Sequence, residues 1–467
     1  MRLTQLIASA LVFLFCNSAM AVFEPLFENG EWSAQTGAEY RYFKDPGDSG
    51  QGQNAIALRL SAEYYTSWND DQDLLTFTPY LILDGQDEER THADIRELLW
   101  VHVADDWELR SGITRVFWGR TEFNHLVDSI NQLDLVDGDD EKLGQPMINL
   151  SVVDDWGIFD FYLLLGFRER TYPGLDGRLR TPIPVDTDNA RYSADTSPQD
   201  VDFAFRWQRP LNDYVEAAFS VFSGVDREPW YSWNFNLNNP MLVPNYQHKD
   251  QFGLELEYIY EGWAVKFEGI GVRSSRENYH AMVAGVEYGF YGLFGSNIDM
   301  TLITEYMYDS RDDATPGFLE HDVGIGGRFN FNDEFGTAML GGILWDPDSE
   351  EKVISFEYER RIFSDVLLEI QAVTVLERAQ RVPRNQTTAQ AISSLINSTV
   401  INPDDFDYRE IVDFLSDLVD ENGYDFIFDP AFGLDVIQEF QRLSDTGRKL
   451  SIIESDDYIQ FRLTYYY

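Results

Sequence analysis

The side chains that could do chemistry are scattered through this sequence and form no catalytic motif. Its six histidines stand in no Ser-x-x-Lys, His-Glu-x-x-His or Gly-x-Ser-x-Gly context. Glu320-His321-Asp322 places an imidazole between two carboxylates, and we interpret it as a solvated strand end. The one cysteine, Cys16, lies in the leading segment, so no thiol nucleophile or disulfide is expected in the rest of the chain. We therefore expect neither an enzyme nor a cofactor.

One acidic stretch has residue types that could bind a divalent cation. Asp134, Asp137, Asp139, Asp140 and Glu141 follow one another closely and could offer carboxylate oxygens. The stretch lacks the D-x-[DN]-x-[DN]-G spacing of a calcium loop, so its aspartates are weak metal candidates. A solvated acidic loop is the interpretation that we favour.

Composition and the first residues narrow the class of protein. The 81 acidic against 35 basic residues give a formal net charge of −46, which excludes a basic nucleic-acid binder. The 15% aromatic content excludes a disordered acidic chain. Residues 1–21 combine Arg2, an apolar run and Ala19-Met20-Ala21, which predicts a cleaved secretory signal peptide. No later stretch reaches about 18 consecutive apolar residues, so membrane insertion would require a closed β-barrel.

Beyond the signal segment, apolar and polar residues alternate in runs of about ten, which is the pattern of barrel strands. Sixteen strands stay open as an alternative, because 147–153 is short and Pro79 interrupts 73–83. The alternation predicts about eighteen strands, near 32–43, 54–66, 73–83, 93–103, 107–118, 147–153, 158–168, 200–208, 214–223, 251–260, 263–273, 279–290, 298–308, 321–331, 336–345, 353–361, 366–377 and 458–467.

Connection lengths favour a membrane barrel over a soluble β-sandwich. Short turns such as Asp154-Asp155-Trp156-Gly157 alternate strictly with long polar loops such as 122–147 and 169–199. Outer-membrane barrels have short periplasmic turns and long surface loops, whereas a sandwich has no reason to collect its long loops at one end. We predict an all-β transmembrane antiparallel barrel, built from residues 22–379 and closed by residues 457–467.

The last strand carries a family resemblance. It ends in alternating apolar residues with a terminal aromatic, Tyr467, and it resembles the assembly signal of Gram-negative outer-membrane proteins. With the signal segment and the loop asymmetry, the chain resembles large porins and substrate-specific channels. Residues 116–120, running into 124–134, resemble alginate-export-type porins and uncharacterised large barrels. The resemblance implies an outer-membrane location, lipid and lipopolysaccharide as surroundings, and the barrel-assembly machinery as a partner of the last strand.

Residues 380–456 interrupt the alternation. Ile411, Phe414, Leu415 and Leu418 fit an amphipathic helix, and two weaker helical patterns flank it. We expect a helical insertion before the closing strand that caps the surface mouth as a lid or enters the lumen as a plug. A strand count changed by one would place it in the periplasm instead.

The polar face of the strands is expected to line the lumen. Basic residues fall mostly in the early strands and acidic residues in the later ones, which suggests two arcs that filter ions and orient solutes. Salt-bridged ladders without selectivity are the alternative. We expect a porin-like channel for small hydrophilic or charged solutes, or else a non-conducting receptor, adhesin or structural barrel, with the oligomeric state open. The pore-lining candidates are Arg41, Arg59, Arg96, Arg110, Arg168, Arg206, Arg328, Arg462, Glu216, Glu255, Glu257, Glu268, Glu305, Glu357 and Glu359.

Overall fold

The fold is an eighteen-stranded antiparallel β-barrel, seen in a computed structural model that describes residues 30–47, 50–138, 141–180, 184–233, 241–311, 319–348, 351–376 and 456–467. The signal segment and the predicted helical insertion, apart from Asp456, lie outside the described residues. Among those described, no helix has the length and apolarity needed to cross a membrane.

Each barrel strand pairs with the next barrel strand along the chain, and the last pairs with the first from Gln35↔Tyr466 to Phe43↔Tyr458. The strands are β1 Glu31–Phe43, β2 Asn54–Trp68, β3 Asp73–Asp84, β4 His92–Val103, β5 Trp107–Thr114, β6 Gln145–Asp154, β7 Gly157–Leu165, β8 Arg191–Tyr192, β9 Val201–Pro210, β10 Val215–Val225, β11 Trp230–Trp233, β12 Leu242–Tyr246, β13 His248–Tyr260, β14 Trp263–Ser274, β15 Asn278–Phe290, β16 Asp299–Asp309, β17 Val323–Asn330, β18 Ala338–Trp345, β19 Lys352–Phe363, β20 Val366–Leu376 and β21 Tyr458–Tyr466. Strands β8, β11 and β12 form a separate small sheet, and the other eighteen form the barrel.

The predicted strand count is confirmed, and three details of the prediction were wrong. Strand β5 ends at Thr114 rather than near residue 118, because the chain leaves the wall there and turns inward. Strand β7 ends at Leu165, so Arg168 lies in a loop. The long and short connections do not alternate strictly, since β14 and β15 are joined at the long-loop end by only residues 275–277.

Pro79 is accommodated by a β-bulge instead of ending its strand. The pairing of β3 with β4 shifts register here, from Thr78↔Glu97 to Pro79↔Ile95, which leaves Arg96 as the extra residue. A proline has no N–H for the ladder, and a bulge is one of the few places where a sheet tolerates it. The bulge also turns Arg96 toward the interior, where it is buried.

The outer surface of the barrel is apolar. Ile56, Phe203 and Phe252 point outward and are 64%, 58% and 46% exposed. Near the short turns the exposed aromatic residues form a partial ring, as in the girdles of membrane barrels. They are Trp32, Trp107, Trp156, Tyr214, Tyr260 and Trp263. Such a surface is unstable in water and suits contact with lipid.

Candidate functional site

The central feature of the interior is the connection between β5 and β6, residues 115–144, which we name the crossing loop. It folds into the barrel instead of projecting from it. Trp118, Val127 and Ile130 of the loop are buried against the inward side chains of the neighbouring walls. Among these, Tyr162 packs edge-on against Trp118 with ring centres 5.6 Å apart. The crossing loop therefore gives part of the barrel a packed apolar core in place of open space.

The crossing loop reaches the wall opposite its own origin. Strands β17 and β18 lie nine strands from β5 and β6 around the ring, and Phe123 contacts them. Its ring lies over Gly324, Gly326 and Gly342, and a Cβ atom at position 324 would fall 2.6 Å from Phe123 Cδ2. At position 324 only glycine leaves room for this ring, and the ring also packs on Gly326 and Gly342, so the three glycines form its receptor.

On the acidic side of the lumen, Arg120 of the crossing loop neutralises several carboxylates. Its guanidinium lies 2.6 Å from Glu216, 2.5 Å from Glu257 and 3.4 Å from Glu255. Glu216 and Glu257 are directly opposite each other on β10 and β13, an arrangement of like charges that is unfavourable unless a cation lies between them. Arg120 supplies that cation.

Two further wall carboxylates accept hydrogen bonds from the backbone of the crossing loop. Glu268, which is fully buried, accepts from the N–H and the hydroxyl of Thr121 at 2.9 and 2.8 Å. Glu305 accepts from the N–H groups of Glu122 and Phe123 at 2.7 and 2.9 Å. These hydrogen bonds to the two wall carboxylates fix the backbone of the crossing loop.

Glu122 makes the next contact of the crossing loop. Its carboxylate lies 3.2 Å from Lys266 and 2.5 Å from Arg328. Burial opposes the ionised form of Glu122, but the charges of Arg328 and Lys266 outweigh burial and lower its pKa. The crossing loop thus brings a cation, Arg120, and an anion, Glu122, to the acidic side of the lumen.

On the basic side, two aspartates of the crossing loop bind the wall. Asp137 contacts Arg59 on β2 at 2.5 Å and Arg96 on β4 at 2.8 Å, and it accepts a 2.8 Å hydrogen bond from Tyr80. Asp134 contacts Arg96 at 2.8 Å. Burial raises the pKa of Asp134, but the hydrogen bond from His92 and the charge of Arg96 lower it to about 2 overall.

Four arginines converge on one buried carboxylate beside this contact. Glu39, 2% exposed, lies 2.7 Å from Arg90, 3.0 Å from Arg59, 3.3 Å from Arg462 and 3.5 Å from Arg41. The closure of β21 against β1 brings Arg462 to this group, as the sequence order implied. The basic wall is therefore largely paired with acids, either on the wall itself or on the crossing loop.

The remaining predicted pore-lining residues occupy different positions. Arg206 on β9 lies 2.8 Å from Glu255. Arg110 on β5 is exposed and pairs with Glu108 on its own strand. Arg168 reaches Asp94 at 2.9 Å from the loop after β7. The last two predicted pore-lining residues, Glu357 and Glu359, lie on β19.

Among the described residues, the crossing loop leaves one part of the inner wall uncovered. At mid-height of β19, Ser355, Glu357 and Glu359 alternate with lipid-facing residues and therefore face the lumen. All three side chains are exposed. By contrast, Glu255 and Glu305 on the covered walls are each 1% exposed. We name the inward face of β18, β19 and β20 the open passage. It lies beside the contact of Phe123 with β18 and is not covered by the crossing loop.

The charges of the open passage are mainly acidic. Glu359 is directly opposite Glu369 on β20, and Glu369 is directly opposite Arg462. Arg462 lies 3.4 Å from Glu369 and 3.3 Å from Glu39, so it is shared between two carboxylates. Of the other inward cations close by, Arg328 pairs with Glu122 and Arg361 stacks on Tyr466.

Metal binding by the acidic stretch finds no support in the geometry. Asp137 is engaged by Arg59, Arg96 and Tyr80, while Asp139 and Asp140 lie outside the described residues. Within the described part of the chain, no group of three or more His, Cys, Asp or Glu side chains is arranged to hold a metal ion.

Sequence reasoning missed Phe123, Arg120 and Arg90 as functional residues. Because the predicted strand extended to residue 118, the start of the crossing loop was missed. An apolar run has the same sequence pattern whether its side chains face lipid or pack in a core. One signal was available. Glycines at alternating positions 324 and 326 of a strand indicate that another group approaches closely.

Known structures share the general shape of the chain at low similarity. OpdQ of Pseudomonas aeruginosa has 11% identity and a TM-score of 0.44, over 94% of this chain and 97% of its own. OccK11 (OpdR) of the same organism has 9% identity and a TM-score of 0.47, over 94% and 95%. Wzi, an Escherichia coli outer-membrane protein of group 1 capsule assembly, has 10% identity and a TM-score of 0.43, over 73% and 80%. No protein-family model and no curated protein matches the sequence. At these values the likenesses carry no conclusion about function, and the barrel rests on its own closed ladder of hydrogen bonds.

Proposed function

We propose that the protein is an outer-membrane channel through which small hydrophilic solutes diffuse passively along the open passage. The observation that carries this proposal is the exposure of Ser355, Glu357 and Glu359, which point into the barrel yet are not covered by the crossing loop. Beside β6, β7, β9, β10, β14 and β15 the crossing loop and the wall form a packed core, so the passage is narrower than the barrel.

Three features support an outer-membrane location. The outward face is apolar with aromatic residues near the short turns, the chain begins with a signal-like segment, and the last strand ends in Tyr467. A closed antiparallel barrel also satisfies every backbone hydrogen bond within its wall, which lipid contact requires. A soluble protein would not tolerate so much exposed apolar surface.

We propose further that the open passage favours cations. The arginines of the basic wall are engaged by Glu39, Asp134 and Asp137, so they contribute little net charge to a passing ion. The passage keeps Glu359 and Glu369, which face each other on β19 and β20, near the shared Arg462. Rings of carboxylates select cations in channels.

The test is single-channel recording of the mature protein in a planar lipid bilayer, beside a variant that lacks residues 385–452. Stepwise conductance of the intact protein would support the channel. If only the deletion variant conducts, the removed segment is a plug and the channel is gated. If both are silent while their heat-modifiable migration on gels shows a folded barrel, passive diffusion is wrong.

A second candidate is a non-conducting barrel that acts as a receptor, adhesin or structural protein. The observation that favours it is the crossing loop itself, which is anchored at Asp137 on one wall and at Phe123 on the opposite wall. A loop fixed at both ends blocks the centre of the lumen. Silence of both proteins in the bilayer recording would favour this candidate.

A further inference from the structure

The outward face of β14 ends in a charged residue at the long-loop end of the barrel. Alternate residues of a strand share a face, and Lys266 and Glu268 of this strand face the lumen, where they contact the crossing loop. The outward positions are therefore Trp263, Val265, Phe267, Gly269, Gly271 and Arg273. A charge on the lipid face is costly at the middle of the membrane and costs little near the interfaces. Arg273, which is exposed, thus lies where the wall meets the lipid headgroups.

The guanidinium of Arg273 has no partner within the described part of the chain, neither by hydrogen bond nor by ion pair nor by ring contact. The carboxylate directly opposite in the ladder belongs to Asp250 on β13. Asp250 accepts a 2.7 Å hydrogen bond from Ser223 on β10 and lies 3.4 Å from His248, so it is engaged toward β10. Five N–H donors and a full positive charge of Arg273 are therefore available to a ligand.

A depression in the outer wall lies beside Arg273, with Gly271 as its floor. Phe252 of β13 and His280 of β15 are directly opposite Gly271 on either side. A Cβ atom on Gly271 would meet no atom of the described residues within 4 Å, so the space above it is open. One step further into the membrane, the ring of Phe267 lies over Gly269, where a Cβ would fall 3.1 Å from it. The depression is closed on the membrane side and open toward the headgroups.

Two further polar side chains border this depression. Asn278 is directly opposite Arg273, and His280 is its diagonal neighbour on β15. Diagonal neighbours lie about 7–8 Å apart, which lets long side chains reach one common ligand. Both are exposed, and within the described residues neither side chain makes a hydrogen bond. The His280 ring packs on Tyr308, with ring centres 5.8 Å apart, which limits its movement.

We propose that this depression binds a phosphate group of an outer-leaflet glycolipid, with Arg273 as its main anchor. A guanidinium pairs with phosphate through two parallel hydrogen bonds, and Asn278 and His280 can add single donors. Phe252 and Phe267 offer apolar surface to the part of the lipid that enters the membrane. The chain has 81 acidic and 35 basic residues, so an unpaired cation on its outer wall is locally complementary to an anion. The proposal rests on the outer-membrane location proposed above and not on conduction.

The experiment is native mass spectrometry of the full-length mature protein in detergent, with lipid A that carries both phosphates, dephosphorylated lipid A, or phosphatidylglycerol. We expect lipid A with both phosphates to bind at least about tenfold more tightly than the dephosphorylated form, because the latter cannot accept charge-assisted hydrogen bonds. Phosphatidylglycerol should bind more weakly than lipid A, since a phosphate monoester carries about 1.5–2 negative charges at neutral pH and a diester carries about one. Equal binding of the dephosphorylated form would overturn the proposal, and equal binding of phosphatidylglycerol would overturn the glycolipid assignment.

Variants locate the site and control for folding, which heat-modifiable migration on gels verifies. Arg273→Gln should weaken lipid A binding about tenfold or more. Gly271→Leu should also weaken it, because the new side chain fills the depression without changing the charge or clashing with the wall. The matched control is Lys44→Gln, which removes a 64% exposed cation beyond β1, on the opposite side of the barrel, and should leave binding unchanged.

Unchanged binding by a folded Arg273→Gln barrel, or an equal loss in Lys44→Gln, would overturn the proposal. Bilayer recording of the same preparations tests the channel separately. A barrel that conducts but does not bind lipid A would refute the lipid site alone, and a barrel that binds lipid A but is silent would refute the channel alone.

Discussion

Phe123 contacts Gly324 on the side of the barrel farthest from the strands that its loop connects. The same loop contacts the basic wall through Asp137. Between these two ends, Arg120 binds Glu216 of β10 and Glu122 binds Arg328 of β17. With both ends fixed, the position of the crossing loop determines the width of the open passage.

Replacing Phe123 by alanine should free the tip of the crossing loop and widen the passage. We expect larger single-channel conductance and a free energy of unfolding reduced by about 2 kcal/mol, below the full cost of deleting a core phenylalanine because Phe123 is only half-buried. Bilayer recording and urea unfolding measure the two effects. Phe117→Ala is the matched control, since Phe117 in the same loop is 67% exposed. Equal conductance of Phe123→Ala and wild type would contradict the anchoring role.

Replacing Arg120 by methionine should destabilise the acidic side of the interior. It would leave Glu216 and Glu257 facing each other without their cation, and because Glu216 is 39% exposed the loss should be about 1–3 kcal/mol, below that of a fully buried ion pair. Urea unfolding of the variant measures this loss. Adding Glu257→Gln to Arg120→Met should restore part of the stability, because one of the opposed charges is gone. A double variant that is less stable than the single one would argue against this account.

Neutralising Glu359 and Glu369 should reduce the preference of the channel for cations. The two carboxylates are opposite each other on β19 and β20 at the open passage. The reversal potential across a potassium chloride gradient is the measurement, and we expect it to move toward zero in Glu359→Gln/Glu369→Gln. Glu261→Gln, in the short turn between β13 and β14, is the control. An anion-selective wild type would refute cation preference and leave the channel itself intact.

Stability should depend on pH through Asp322, just before β17, which is 1% exposed and not solvated as its sequence context suggested. Burial, followed by the charges of Glu320 and Asp346, raises its pKa from 3.8 to about 7. Between these values the folded protein holds a proton that the unfolded chain has released, so the unfolding free energy falls as pH rises and levels off above about 7. Asp322→Asn should remove this fall. Urea midpoints at several pH values test it.

The Asp322→Asn variant should therefore exceed wild type in stability above neutral pH and match it near the acidic end of the window. Asp213→Asn, in the exposed turn between β9 and β10, is the control for a general effect of removing a negative charge. The same gain in both variants would show that net charge, and not the burial of Asp322, is responsible.

The barrel was predictable because two environments act on every strand. Lipid on one side and the lumen on the other impose alternation, so even strand β6, of which only residues 147–153 were predicted, and the proline-containing strand β3 were found. Where a packed core replaces lipid or lumen, the position of an apolar residue in the alternation no longer indicates which side of the wall it faces. Trp118 continues the apolar run of β5, yet it packs inside against Tyr162.

The charged residues were predictable as a set, but their partners were not. The sequence placed Arg41, Arg59 and Arg462 on one wall, and they do converge on Glu39. It gave no sign that Asp137 would cross to Arg59, because their separation of 78 positions carries no periodic signal. Such pairs depend on the path of a loop and not on local pattern.

The crossing loop also has a consequence for the order of folding. It leaves the wall after β5, but the glycines that receive Phe123 belong to β17 and β18, about two hundred residues later in the chain. Until those strands join the sheet, Phe123 lacks its glycines, and of the two basic partners of Glu122 only Lys266 of β14 is present. The contact of the loop tip with this wall therefore cannot form before β17 and β18 are in place, and a barrel that lacks them holds its crossing loop only through the other strands.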